Sequence, residues 1–77
     1  MNTRLDDLVQ SIRNGSGAES VGVLSTGERC YVALAVGRYD LLPHDDADPI
    51  EAWYRLDVDW RAGVCRWRCW PESYARG

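Results

Sequence analysis

A chain of 77 residues holds one domain with one modest core, at the size where burial of apolar surface only narrowly outweighs chain entropy. Hydrophobic residues make up 45% and charged residues 27%, which excludes a disordered chain, and no apolar run approaches the roughly 18 residues of a membrane-crossing helix. The net charge of −3 is uneven: residues 1–38 balance, residues 39–54 hold five acids and no base, and residues 55–77 are net basic.

Taken in order, the chain begins with a predicted helix over residues 4–14. Leu5, Leu8, Val9 and Ile12 recur at i, i+3, i+4 and i+7, one apolar stripe. Thr3 and Asp6 make an acidic variant of a capping box, and Asn14-Gly15 supplies a left-handed stop. The stripe reads as core packing, and its polar face lacks the basic residues of a membrane-surface helix. Acids near the N-terminus, where a secretory leader carries an apolar segment, lead to the expectation of a cytoplasmic protein with no membrane contact.

A β-hairpin is predicted over residues 21–37. Val21 to Leu24 and Arg29 to Val36 are its strands, Ser25-Thr26-Gly27-Glu28 its turn. A helix from Glu28 to Tyr39 is the competing reading, since Ala33-Leu34-Ala35 favours helix. An acidic loop follows over residues 38–52. With no base in residues 39–54, Asp40, Asp45, Asp46 and Asp48 are expected to be exposed and solvated. Asp48-Pro49-Ile50-Glu51 also reads as the start of a single helical turn, with Asp48 as N-cap and Pro49 in first position.

Residues 53–70 alternate as a second hairpin would: Tyr54, Leu56, Val58 and Trp60 share one parity, and Cys65, Trp67 and Cys69 another. The register that keeps apolar residues together pairs Val58 with Trp67 and Trp60 with Cys65, and sets Asp57 and Asp59 against Arg68 and Arg66. Residues 71–77 read as a frayed tail. The expected fold class is α+β, an N-terminal helix on an antiparallel sheet of about four strands.

Catalytic motifs are absent. The chain has one histidine, His44, no nucleophile elbow and no phosphate-binding glycine loop. Cys30, Cys65 and Cys69, the available nucleophiles, fall on predicted inward faces, so the protein is not expected to be an enzyme or to carry a cofactor. An odd cysteine count argues for free thiols, and with no C-x-x-C knuckle zinc is not expected. Asp45, Asp46 and Asp48 lack the spacing of a calcium loop.

Binding is the remaining class. In the predicted register Arg55 lies opposite Trp70 with Trp53 diagonal to it, an aromatic and arginine cluster of the composition of an interaction hot spot. With Asp40, Asp45, Asp46, Asp48 and Glu51, these residues form the expected contact set for another protein. An array of carboxylates imitates a phosphate backbone and suits a partner with a basic nucleic-acid-binding surface. In size, acidity and lack of catalytic motifs the chain resembles the small inhibitors made by phages and mobile elements, the anti-CRISPR proteins among them. That resemblance implies inhibition by binding and brings no functional residue with it. The alternative is a single-strand nucleic-acid binder that stacks bases on Trp53, Trp70 or Tyr54 with Arg55, Arg66 and Arg68 on phosphates; overall acidity opposes it.

Overall fold

The computed structural model describes residues 3–44 and 47–76. Among them there are four α-helices and no strand: α1 (Thr3–Arg13), α2 (Thr26–Val36), α3 (Pro49–Arg55) and α4 (Val58–Arg68). Short 3-10 turns at Ala18–Val23, Tyr39–Leu41 and Glu72–Arg76 complete the path. The α+β expectation is therefore wrong, and neither predicted hairpin exists.

In α1 the expected stripe does face inward, with Leu5, Val9 and Ile12 buried and Leu8 packed beside them. The first hairpin fails at Ser25–Glu28, which is a helix start. The Ser25 hydroxyl accepts a hydrogen bond from the Glu28 N–H at 3.3 Å, and the Glu28 carboxylate accepts from the Ser25 N–H at 3.0 Å, the reciprocal capping box. Gly37, left-handed at φ 77°, closes α2 with its N–H on the Ala33 and Leu34 carbonyls. Between the caps, every residue from Cys30 to Ala35 is buried. Such a helix, packed against α1, α3 and α4, has no polar face and so no 3.6-residue pattern.

The second hairpin fails for a different reason. Its alternating run from Tyr54 to Trp60 is interrupted at Leu56 and Asp57, which are extended. The Asp57 carboxylate accepts from the Trp60 N–H at 2.9 Å and so starts α4. Within α4, Trp60, Val64 and Trp67 stand at i, i+4 and i+7 and pack on the core. Val58 and Trp67 thus lie on one helix, and the register pairing them is refuted. Asp57 caps instead of facing Arg68, and Arg66 reaches Glu72 at 3.4 Å. Cys69, expected inside, is exposed and left-handed (φ 58°) at the end of α4. The expected frayed tail is also corrected: Glu72–Arg76 packs on α4 and buries Ala75.

One polar cluster ties the helices together. The Asp6 carboxylate of α1 accepts hydrogen bonds from the Tyr31 hydroxyl of α2 at 2.7 Å and from the Trp67 indole N–H of α4 at 3.1 Å. Burial, with Asp6 adding to it, pushes the Tyr31 phenol far up, so it stays a donor. Trp60 meets the Tyr31 ring edge-on at 5.3 Å, and Arg13 lies 5.6 Å above Trp67 while donating to the Trp67 carbonyl at 2.9 Å. Among the described residues no helix is long and apolar enough to cross a membrane.

The α2 cap carries a pH signature. The Ser25 N–H, then the Ser25 hydroxyl, hold the Glu28 carboxyl below its ordinary value, so the folded state binds that proton less tightly than the unfolded chain does. The stability it contributes is present above the unfolded value and is lost as pH falls through the lower folded one. Urea denaturation between about pH 6 and pH 3 should show this acid-side loss, and Glu28→Gln should remove its share, because glutamine keeps the box without ionising.

Candidate functional site

An apolar groove of about 340 Å³ is lined by Leu34, Tyr39, Pro49, Ile50, Trp53, Tyr54 and Trp70. Its floor is Leu34, buried on α2. One wall is α3, whose Ile50, Trp53 and Tyr54 stand at i, i+3 and i+4 and form a stripe. The start of that wall is set by Asp48, whose carboxylate accepts from the Ile50 N–H at 2.9 Å, with Pro49 in the first turn. This matches the helix start read from sequence. The other wall is Trp70, just past α4, which meets Trp53 edge-on at 6.0 Å and Tyr74 at 6.5 Å.

Two arginines of α4 hold these walls. Arg61 donates to the carbonyls of Trp53 at 3.0 Å, Tyr54 at 3.3 Å and Ala75 at 3.3 Å, tying the end of α3, where the Leu56 N–H also reaches the Trp53 carbonyl, to the C-terminal turn. Its guanidinium also lies 5.3 Å from the Tyr54 ring. Arg68 stacks 4.6 Å over Trp70 and donates to the Leu34 carbonyl at 3.0 Å and the Tyr39 hydroxyl at 3.5 Å. The stacking place expected for Arg55 therefore belongs to Arg68. Arg68 also fills the space beside Gly37, where an added Cβ would lie 3.2 Å from the guanidinium.

Parts of the groove remain open. Ile50 is 67% and Tyr54 60% exposed, and at i and i+4 they are neighbours on the surface of the short helix α3. Trp53 and Trp70 are half-buried against the core. Of the four indole N–H groups, only that of Trp67 has an acceptor among the described residues.

The sequence-predicted contact residues divide. Trp53 and Trp70 do come together, though through helix packing and not across a hairpin. Arg55 is exposed in the last turn of α3. Asp40 is exposed but not unpaired: Arg38, one residue outside the acidic block, reaches it at 2.8 Å, and that hydrogen bond holds the Asp40 carboxyl below its usual range. Asp48 is exposed and also serves as a cap, and Glu51 is exposed beside Ile50. Asp45 and Asp46 lie outside the described residues. The groove residues that sequence reasoning missed are Leu34, Tyr39, Pro49 and Ile50 as lining and Arg61 as a support, while Tyr54 and Arg68 were named only for the nucleic-acid alternative.

Other chemistry is weaker. A polar hollow formed by Asp57, Asp59, Trp60 and Arg66 holds no serine, cysteine or histidine, and its Asp57 is engaged as the cap of α4. Among the described residues no group of three or more His, Cys, Asp or Glu side chains could hold a metal ion. Cys30 and Cys65 are buried, and burial pushes the Cys65 thiol up, which makes it a poor nucleophile. Comparison of the chain with known protein families, with curated proteins and with solved structures finds no match.

The Arg61 arrangement predicts a measurable cost. Arg61→Ala removes a side-chain donor shared by three carbonyls, of which that of Trp53 keeps the Leu56 N–H, and should lower unfolding free energy by about 1–3 kcal/mol in urea denaturation. The tryptophan emission should shift to the red as the Trp53 wall loosens.

Proposed function

We propose that this chain is a protein-binding module whose contact surface is the groove between α2, α3 and Trp70, with the carboxylates beside it steering the partner. The observation that carries this reading is the pairing of exposed Ile50 and Tyr54 with Trp53 and Trp70 in one concavity. Aromatic and large apolar side chains in a pocket form the centre of a binding hot spot. Asp48 and Glu51 flank Pro49 and Ile50 at one end, so a partner segment with apolar anchors and a neighbouring arginine or lysine meets both groups at once.

In this reading the acidic segment is an auxiliary and not the principal contact. Asp40 is neutralised by Arg38 and Asp48 is engaged by the α3 backbone, which weakens the case for a free-standing phosphate mimic. A small acidic module that seats on a basic surface still blocks what that surface binds, including nucleic acid. Inhibition by occupancy, in the cytoplasm and without catalysis, is thus the mode of action we favour.

The experiment is capture of a partner from source-cell lysate, or from cells carrying phage defence systems, by immobilised wild type and by a variant with Ile50→Ser and Tyr54→Ala. Both side chains are mostly exposed, so the variant should fold. Any protein retained by the wild type should be lost by the variant. Asp48→Asn with Glu51→Gln should slow association of the purified partner, most clearly at low salt, while asparagine preserves the cap. Retention of the partner by the groove variant would remove the groove from the account, and tight binding of wild type to single-stranded DNA would favour the nucleic-acid alternative.

A further inference from the structure

The geometry points to a specific occupant: an extended, proline-containing segment in polyproline II conformation, with an arginine or lysine at the end that meets Asp48 and Glu51. This rests on the groove being the docking site, and it names the shape and chemistry of what docks there.

The first observation is the kind of surface. Tyr39, Trp53, Tyr54 and Trp70 give the groove flat, stiff walls. Grooves of this aromatic character suit proline rings, which present apolar bulk at little cost in conformational freedom because the polyproline II helix is already formed before binding.

The second observation is the hydrogen-bond state of those walls. Trp53 and Trp70 have indole N–H groups with no acceptor among the described residues. A ligand that supplies carbonyl oxygens answers them. An α-helical segment cannot, because its carbonyls are bonded within the helix. A polyproline II segment has no internal hydrogen bonds, so all of its carbonyls are available. A polyproline II occupant can therefore meet these indole N–H groups where a helix cannot.

Charge supplies direction. Asp48 and Glu51 stand beside Pro49 and Ile50 at the start of α3, while Arg68 is fixed over Trp70 at the opposite wall. A polyproline II helix presents similar faces in either chain direction, so a basic residue at one end sets the orientation. The same carboxylates repel a phosphate backbone, which places nucleic acid behind a basic peptide as occupant.

The test uses the full chain and three synthetic peptides of equal length: repeats of Ala-Pro-Pro ending in arginine, the same with glutamate for arginine, and the same with alanine for each proline, a helix-forming control of unchanged charge. Binding is read from tryptophan fluorescence and from the indole N–H signals in ¹H–¹⁵N spectra. The arginine peptide should move the Trp53 and Trp70 indole protons downfield, and either replacement should weaken binding by about tenfold or more. Tyr54→Ala, checked for folding by circular dichroism, should weaken it similarly.

Equal binding of the alanine peptide, or binding that leaves both indole signals in place, would overturn the proposal. So would absence of binding by the arginine peptide, displacement of it by oligothymidylate, or indole signals that move on dilution and so report self-association. If no peptide binds and a captured partner is still lost by the Ile50 and Tyr54 variant, the docking reading stands and only the polyproline II occupant fails.

Discussion

The rest of the structure depends on one carboxylate. Because α2 is enclosed by other helices, the Tyr31 hydroxyl needs an acceptor inside the protein, and a buried phenol left unpaired would cost about 1–3 kcal/mol. Asp6 supplies that acceptor and takes the Trp67 indole N–H as well. A single side chain of α1 thus fixes how α2 and α4 sit against it. Edge-on packing of Trp60 on Tyr31 and the cover of Arg13 over Trp67 complete the clasp.

The groove follows from that arrangement at one remove. With α4 held against α2, its two outward arginines are in place to reach elements that have little core of their own. Arg61 secures the end of α3 and the buried Ala75 turn, and Arg68 secures Trp70, Tyr39 and the end of α2. A seven-residue helix is too short to be stable alone. Pinned by Arg61 and capped by Asp48, α3 can leave Ile50 and Tyr54 mostly on the surface.

How much of this was legible in the sequence depends on each helix's surroundings. α1 has one buried stripe and one wet face, so its period shows, and α3 announces itself through Asp48-Pro49. α2 has no wet face, and its Cys30, Tyr31, Val32 and Val36 are residue types at home in strands; tertiary enclosure overrode that propensity. The legible signal there was the capping box at Ser25 and Glu28. In α4 the two-residue alternation ran across a helix boundary at Leu56–Asp57, whereas Trp60, Val64 and Trp67 carried the true period. For the site, Trp53 and Trp70 were visible from residue type alone, and Ile50, Trp53 and Tyr54 from spacing once α3 is helical. Tyr39, Arg61 and Arg68 act through contacts distant in sequence and have no local signature. Asp40 was misjudged because its partner, Arg38, lies just outside the acidic block.

The most direct measurement is the free-energy cost of Tyr31→Phe in two backgrounds, wild type and Asp6→Ala, by urea denaturation. If the Asp6 carboxylate is the acceptor that joins the helices, removing the hydroxyl costs about 1–3 kcal/mol in the wild type and clearly less once Asp6 is alanine, since the two substitutions share an interaction. An equal cost in both backgrounds would contradict the account, because it would mean that Tyr31 and Asp6 contribute independently and that the three helices are joined by something else.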